Sequence, residues 1–292
     1  MPSSPPLRGR LLLLLAATMW SISGVIVKSP PLQELPDAER GPIIACGRAI
    51  VAAVFLLPMV GRRSIRFRPA MLPMVVGFAA MNVLFVTAMT TTTAAAAIFL
   101  QYTSSMWAFL LGWWFLKEQI VRANLLALVC AVCGIVWIIA ADASSTRLTG
   151  NLIALVSGFS FAVVVVSLRA LRDEDSIWLI ALNHVVSAAV LLPWVMSFDI
   201  GMPNVSQCLL IGALGVFQIA IPYVAFSRGL RYVTAQEAAL LTLIEPLLNP
   251  FWVWLFWNES VPASTWVGGT LIVGGLAARY VLVREKTPAA NR

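Results

Sequence analysis

Charged side chains are scarce in this chain. Of its 292 residues only 11% are Asp, Glu, Lys or Arg, where a soluble domain carries about 25%, so a water-facing surface is excluded. Histidine occurs once, at His184, and there is no H-E-x-x-H and no phosphate-binding P-loop. The first absence argues against a zinc hydrolase; the second means that the chain does not hydrolyse ATP. The four cysteines are Cys46, Cys130, Cys133 and Cys208. Cys130 and Cys133 form a C-x-x-C, but a zinc site needs two further ligands nearby, and none stands there. The thiols are therefore read as buried structural groups, and no metal or cofactor is expected. No lysine falls inside a late apolar block, which excludes a retinal-type receptor. No acid-rich cluster, serine–base pair or long ordered loop offers an enzyme a site at a membrane face. A channel would call for a wider polar pore than these few groups provide.

What is present in abundance is apolar sequence. Hydrophobic residues make up 60% of the chain, gathered in blocks near the length that crosses a hydrocarbon core about 30 Å thick. Ten spans are expected, at about 11–28, 42–60, 70–89, 94–116, 122–141, 150–168, 177–197, 207–227, 234–257 and 264–283. Each must be a helix, because lipid leaves no partner for an open backbone group. Arg8 and Arg10 followed by leucines look like a signal peptide. The apolar run continues to Val27, beyond the usual h-region of about 7–15 residues, so it is read as a retained first helix. The net charge of +7 sits in short loops and implies no nucleic acid. With the N-terminus inside, sixteen of the 20 Lys and Arg residues fall on the cytoplasmic side, Arg62, Arg63, Arg66 and Arg68 among them. Only Lys28, Arg40 and Arg147 fall outside, and Arg48 lies within a span. The positive-inside rule then puts both termini in the cytoplasm.

The chain also repeats itself. Shifted by 141 residues, 93–134 aligns with 234–275 without a gap. Thr93 pairs with Thr234, Trp113 with Trp254, Glu118 with Glu259 and Gly134 with Gly275. Two halves, 1–146 and 147–292, would hold five spans each. An odd number makes the second enter the membrane upside down, an architecture common in secondary transporters whose sites lie near the midplane. The expected fold is thus an all-α polytopic membrane protein of ten transmembrane helices in two inverted five-helix repeats.

Several residues carry a resemblance: Met19-Trp20-Ser21 in the first span, Arg48 in the second, and the block from Thr93 to Trp114 ending at Glu118. Its counterpart runs from Thr234 to Trp257 with Glu245-Pro246 and Glu259. As an ordered set these resemble the drug/metabolite transporter superfamily in its EamA-type branch. Within that branch the chain looks like YddG-type exporters of aromatic and other amino acids. The resemblance implies a 5+5 arrangement, a central cavity and efflux of metabolites from a bacterium across its inner membrane. One departure is that Ser104-Ser105 stands where the second half has Glu245-Pro246.

Glu245 falls near mid-bilayer, where a charge costs at least about 2.5 kcal/mol on insertion scales. It should be protonated, paired or facing water, either as a coupling group or as a structural hydrogen-bonding acid beside a Pro246 kink. Thr242 and Asn249 share its helix face, and Glu245 and Asn249 are expected to line the substrate cavity as a polar strip. Arg48 is close enough to the outer end to snorkel and is read as structural or gating, with direct substrate contact as the alternative. His184 aligns roughly with Arg48 and is a second gating candidate, or a packed polar residue. Thr234 and Glu237 form a capping box. The polar residues Asn82, Gln101, Tyr102, Gln218 and Tyr223 lie inside apolar spans and must face other helices or water. With Trp20, Phe85, Phe159 and Phe161 they are the expected walls of a substrate cavity, joined by Trp107. Walls that mix aromatics with amides suit a small amphipathic solute such as a neutral amino acid. Nucleotide sugars and drug-like amines are the other solutes to weigh. A monomer in the lipid bilayer needs no protein partner. Ser21 and a set of glycines, including Gly212 and Gly274, are expected to let helices pack closely.

Overall fold

The computed structural model describes residues 5–115, 122–143, 145–171, 173–199, 201–229, 232 and 241–282. Among these residues the regular elements are helical and no strand occurs. Helix α1 (Pro5–Ser21) continues after one residue as α2 (Ser23–Val27), and α3 (Pro30–Gln33) is a single turn. Then follow α4 (Asp37–Leu56), α5 (Met71–Thr91), and an interrupted pair, α6 (Ala94–Gln101) and α7 (Ser104–Phe115). The chain goes on through α8 (Arg122–Ala141), α9 (Leu148–Ala170) and α10 (Ser176–Met196). Helix α11 (Val205–Ala213) widens into a π-helical stretch (Leu214–Ala220) and continues as α12 (Ile221–Gly229). The last two are α13 (Glu245–Trp257) and α14 (Ala263–Leu282).

Among the described residues seven stretches are long and apolar enough to cross a membrane: Leu7–Val27, Asp37–Met59, Met71–Thr91, Ala94–Trp114, Leu148–Leu168, Ser176–Met196 and Val205–Gly229. Leu125–Ala141 and Ala263–Ala278 are apolar but shorter. The expected span at 234–257 is described only from residue 241, so Thr234 and Glu237 lie outside the described residues, as does Glu118. The burial pattern is the reverse of a soluble protein's. Val54, Leu72, Trp114, Val129, Val156 and Leu209 are exposed, while Asn82, Asn151, His184 and Asn249 are fully buried. An apolar exterior of this extent needs lipid to cover it.

Local chemistry sets the helix ends. Thr93 Oγ1 accepts from the Ala96 N–H at 3.1 Å. Asp175 accepts from Ile177 and Trp178 at 2.9 and 3.0 Å. Asn204 and Gln207 form a reciprocal capping box. Helix α13 ends on Asn258 in the left-handed region, φ 52°, which asparagine tolerates better than most residues.

In the packing, α8 lies along α14, α5 along α9, α4 along α10 and α1 along α12. The α8–α14 crossing is close: a Cβ at Gly134 would stand 2.5 Å from the Gly268 carbonyl oxygen. Two expectations are corrected here. Gly212 and Gly274 face open space, with nothing within 4 Å of an added Cβ, so they serve no close contact. Cys46 is buried, but Cys133 and Cys208 are exposed; a thiol is apolar enough to face lipid.

Polar groups tie the two ends of the bundle. At one end Lys28 meets Glu259 at 2.8 Å, and Gln207 donates to the Pro31 carbonyl at 2.9 Å. At the other, Arg68 meets Glu174 at 2.9 Å, Ser64 donates to Asp175 at 3.1 Å, and the Trp178 indole donates to the Arg66 carbonyl at 2.9 Å.

Candidate functional site

Two apolar spans are interrupted in mid-course. Between α6 and α7 the chain leaves the helix at Tyr102 and Thr103, and before α13 it does so at Leu243 and Ile244. Shifted by 141 residues, the first pair of positions becomes the second. The causes differ. Pro246 has no N–H for the Thr242 carbonyl, and its ring clashes with that carbonyl, so the helix cannot run through. Around Tyr102 no proline is present. Instead Thr103 Oγ1 donates to the Leu100 carbonyl at 2.6 Å, a local bond that competes with the helix. Gly158 on α9 leaves room for this irregular backbone: a Cβ there would stand 3.0 and 3.1 Å from the Leu100 and Gln101 carbonyl oxygens.

The two interruptions meet. The Tyr102 hydroxyl lies 3.1 Å from the Thr242 carbonyl oxygen and 2.9 Å from Glu245 Oε2. Thr242 is the carbonyl that Pro246 leaves without its helical donor, and the tyrosine reaches it from the other break. The hydroxyl has one proton. It can donate to the carboxylate, or donate to the carbonyl while a neutral Glu245 donates to it. With Glu245 ionised the hydroxyl can bond only one of its two neighbours; with Glu245 neutral both contacts are hydrogen bonds. Asn249, four residues on, donates to Ser23 Oγ at 2.9 Å, and the Trp252 indole donates to Ser21 Oγ at 3.0 Å. These bonds fix α13 against α1 and α2.

A second polar cluster forms around Arg48 on α4. Its Nε donates to Asn82 Oδ1 at 2.8 Å and its Nη1 to Gln218 Oε1 at 3.2 Å. Asn82 in turn donates to the Ala45 carbonyl and to Ser187 Oγ, both at 2.9 Å. Arg48 is thus turned inward and does not snorkel to the bundle's end, because Asn82 on α5 and Gln218 in the π-helical stretch reach it first. His184 is fully buried, its ring edge-on to Phe78 at 4.7 Å between centroids. On α1, Trp20 packs against Tyr223 and Phe226 of α12, with centroids 5.2 Å apart in each pair.

The structure does not bring all the expected wall residues together. Gln101 is buried and donates to Ser157 Oγ at 3.2 Å. Phe85 packs in the main apolar core, and Phe161 sits against a separate cluster around Met74 and Trp178. Phe159 is exposed and edge-on to Trp107; α9 turns it to the outside. Ser157, Ser187 and Ser23 were not anticipated as partners, although Ser187 is one helical turn from His184.

Comparison with known proteins adds to this geometry. The model of the EamA-like transporter family matches the chain twice, over residues 7–140 and 148–280. An uncharacterized transporter of Archaeoglobus fulgidus is 30% identical over 193 residues, 66% of this chain and 69% of that protein. The uncharacterized transporter YwfM of Bacillus subtilis is 28% identical over 289 residues, 96% of each chain. The pseudopaline exporter CntI of Pseudomonas aeruginosa is 26% identical over 270 residues, 91% of this chain and 93% of that one. A protein of known crystal structure superposes with a TM-score of 0.64, covering 95% of this chain and 98% of its own, at 19% identity. That likeness concerns the fold alone.

Proposed function

The chain belongs to the EamA-like transporter family, and from that premise we propose that it is a secondary transporter exporting small neutral amino acids, aromatic and otherwise apolar, across a bacterial inner membrane by alternating access. The observation that carries this reading is the meeting of Tyr102 and Glu245 at two matched helix interruptions. Discontinuous helices facing one another are how many transporters build a midplane site. Trp20 and Tyr223 add aromatic surface beside the polar groups, a mixture that suits a zwitterion with an apolar side chain. Resemblance to YddG-type exporters favours the same substrates, and the relative CntI is named as an exporter, of pseudopaline.

The same reading takes the chain as ten spans in two inverted halves, 1–146 and 147–292, monomeric and with both termini cytoplasmic. Two successive matches of one family model support the halves. So does the packing, in which α1 pairs with α12 as α5 pairs with α9, the relation that an exchange of equivalent spans would give. The bundle end bearing Arg62, Arg63, Arg66 and Arg68 is the cytoplasmic one on the positive-inside rule.

The test is counterflow in proteoliposomes holding the purified chain. Labelled Phe, Leu, Met or Thr should accumulate against the same unlabelled amino acid. A panel in which none of them exchanges, while a nucleotide sugar or a drug-like amine does, would overturn the substrate assignment.

A further inference from the structure

Among the described residues Arg48 is a buried cation without an anion. It is 3% exposed, and its hydrogen bonds run to Asn82 Oδ1, to Gln218 Oε1 and, at 3.5 Å, to the Asn82 carbonyl. All three acceptors are neutral. The ion pairs among the described residues, Lys28–Glu259, Arg40–Asp37, Arg68–Glu174 and Arg147–Asp142, do not include it. Buried charges are ordinarily paired, and a guanidinium has five N–H groups to satisfy.

The surroundings hold unmet polar groups as well. His184, fully buried, has no partner at either ring nitrogen, and Ser187, one helical turn on, accepts from the same Asn82 that accepts from Arg48. A neutral imidazole carries one N–H and one bare nitrogen, so a donor and an acceptor both go unused near the cation. Gln218 sits in the π-helical stretch Leu214–Ala220, an irregularity found often at functional sites. The bond it accepts from Arg48, at 3.2 Å, is longer than the 2.8 Å bond from Arg48 to Asn82 Oδ1 and is the weaker of the two side-chain bonds. Tyr223 packs against the cluster of Ala52 and Leu56 on the helix that carries Arg48 and against Trp20 on α1, the helix to which Trp252 of α13 is bonded, so α1 and Tyr223 link the two clusters.

We propose that Arg48 is the carboxylate anchor of the transported solute, with Gln218 as a neutral stand-in that yields to the carboxylate when it arrives. The proposal rests on the amino-acid reading above and narrows it. The substrate must carry a carboxylate, and an amine of the same shape without one is refused. A guanidinium presents two parallel N–H groups to a carboxylate, which also fixes the solute's orientation.

The experiment is competition against labelled Phe in counterflow, with phenylalanine, N-acetylphenylalanine, phenylalaninamide and phenethylamine as unlabelled competitors. The first two keep the carboxylate; the last two lack it. With the unsubstituted chain the last two should compete at least about tenfold more weakly than phenylalanine, the worth of one charge-assisted hydrogen bond. Arg48→Gln should abolish this preference in whatever exchange survives, and Arg48→Lys should keep part of it. Equal competition by amide and acid in the unsubstituted chain overturns the assignment without any variant having to fold. An Arg48→Gln chain with the full preference overturns it too. The broader reading fails differently. Exchange of labelled carboxylates that are not amino acids would sink amino-acid export and support Arg48 as the anchor, whereas exchange of amines alone would sink both.

Discussion

Replacing Gly268 by alanine puts a methyl group where α8 leaves no space. The new Cβ would stand 2.5 Å from Ile138 Cγ1 and 2.7 Å from the Gly134 carbonyl oxygen. The isoleucine can turn, but the carbonyl belongs to a helix and cannot. Carbon and carbonyl oxygen come no closer than about 3.3 Å even in favourable contacts, so α8 and α14 must separate by roughly 0.6 Å. A gap of that order forfeits a quarter or more of each contact along the seam, and overpacking of this kind costs about 1–3 kcal/mol. The better helix propensity of alanine offsets about 1 kcal/mol. Gly274, on the same helix, has nothing within 4 Å, so Gly274→Ala keeps the propensity gain and meets no clash. The two variants should therefore differ by about 2 kcal/mol. Thermal unfolding in detergent, followed by the fluorescence of the 11 tryptophans, should show Gly268→Ala melting about 4 °C or more below Gly274→Ala. Gly134→Ala, which presses on the same contact from the other helix, should match Gly268→Ala. Equal midpoints for Gly268→Ala and Gly274→Ala would refute the close seam.

Tyr102→Phe removes the hydroxyl from both Glu245 and the Thr242 carbonyl, and should lower exchange by about 5- to 100-fold, the equivalent of roughly 1–3 kcal/mol. Combined with Glu245→Gln it should show clear non-additivity in a double-mutant cycle; strictly additive losses would mean that the two side chains act separately. If Glu245 carries the coupling proton, Glu245→Gln keeps exchange and loses its stimulation by an imposed proton gradient. Equal rates with and without the gradient, in parent and variant alike, leave the carboxyl a passive partner of Tyr102. Reporter fusions at Ser64 and Ser145 should report the cytoplasm and the outside respectively, and the opposite result would invert the assigned topology.

Much of the fold could be read from the sequence, for a physical reason. A backbone in lipid must satisfy itself, so an apolar block of sufficient length leaves the chain little choice but a helix. The interruption before α13 was legible too, because Pro246 announces it. The matching one at Tyr102 was not, since hydroxyl side chains competing for the backbone leave no comparable mark. Facing was the harder question. Phe159 reads as a wall residue and yet faces outward, because an aromatic suits either side of a membrane helix and apolar composition does not tell a core face from a lipid face. Arg48 turns inward because of Asn82 on α5 and Gln218 in the π-helical stretch, neighbours that distance along its own helix does not reveal. Partners such as Ser157 and Ser187 went unmarked for a related reason: a single small hydroxyl in a long apolar run passes as filler.

At the bundle end that holds Lys28, polar side chains join in series. Glu259 binds Lys28 and accepts from the Ala94 N–H at 2.8 Å. Lys28 donates to the Thr92 carbonyl at 2.7 Å, Thr92 Oγ1 donates to Asn151 at 2.7 Å, and Asn151 donates to Asp142 at 2.8 Å. Arg147 closes the series on Asp142 at 2.8 Å. Asn151, Asp142 and Thr92 are all buried, so cutting one link strands a polar group where water does not reach, at about 1–3 kcal/mol each. A half-opened end therefore lies above both extremes: the closed end with every link made, and an open one whose groups are all hydrated together. This end of the molecule behaves as a clasp, parting in one event instead of sliding apart by degrees.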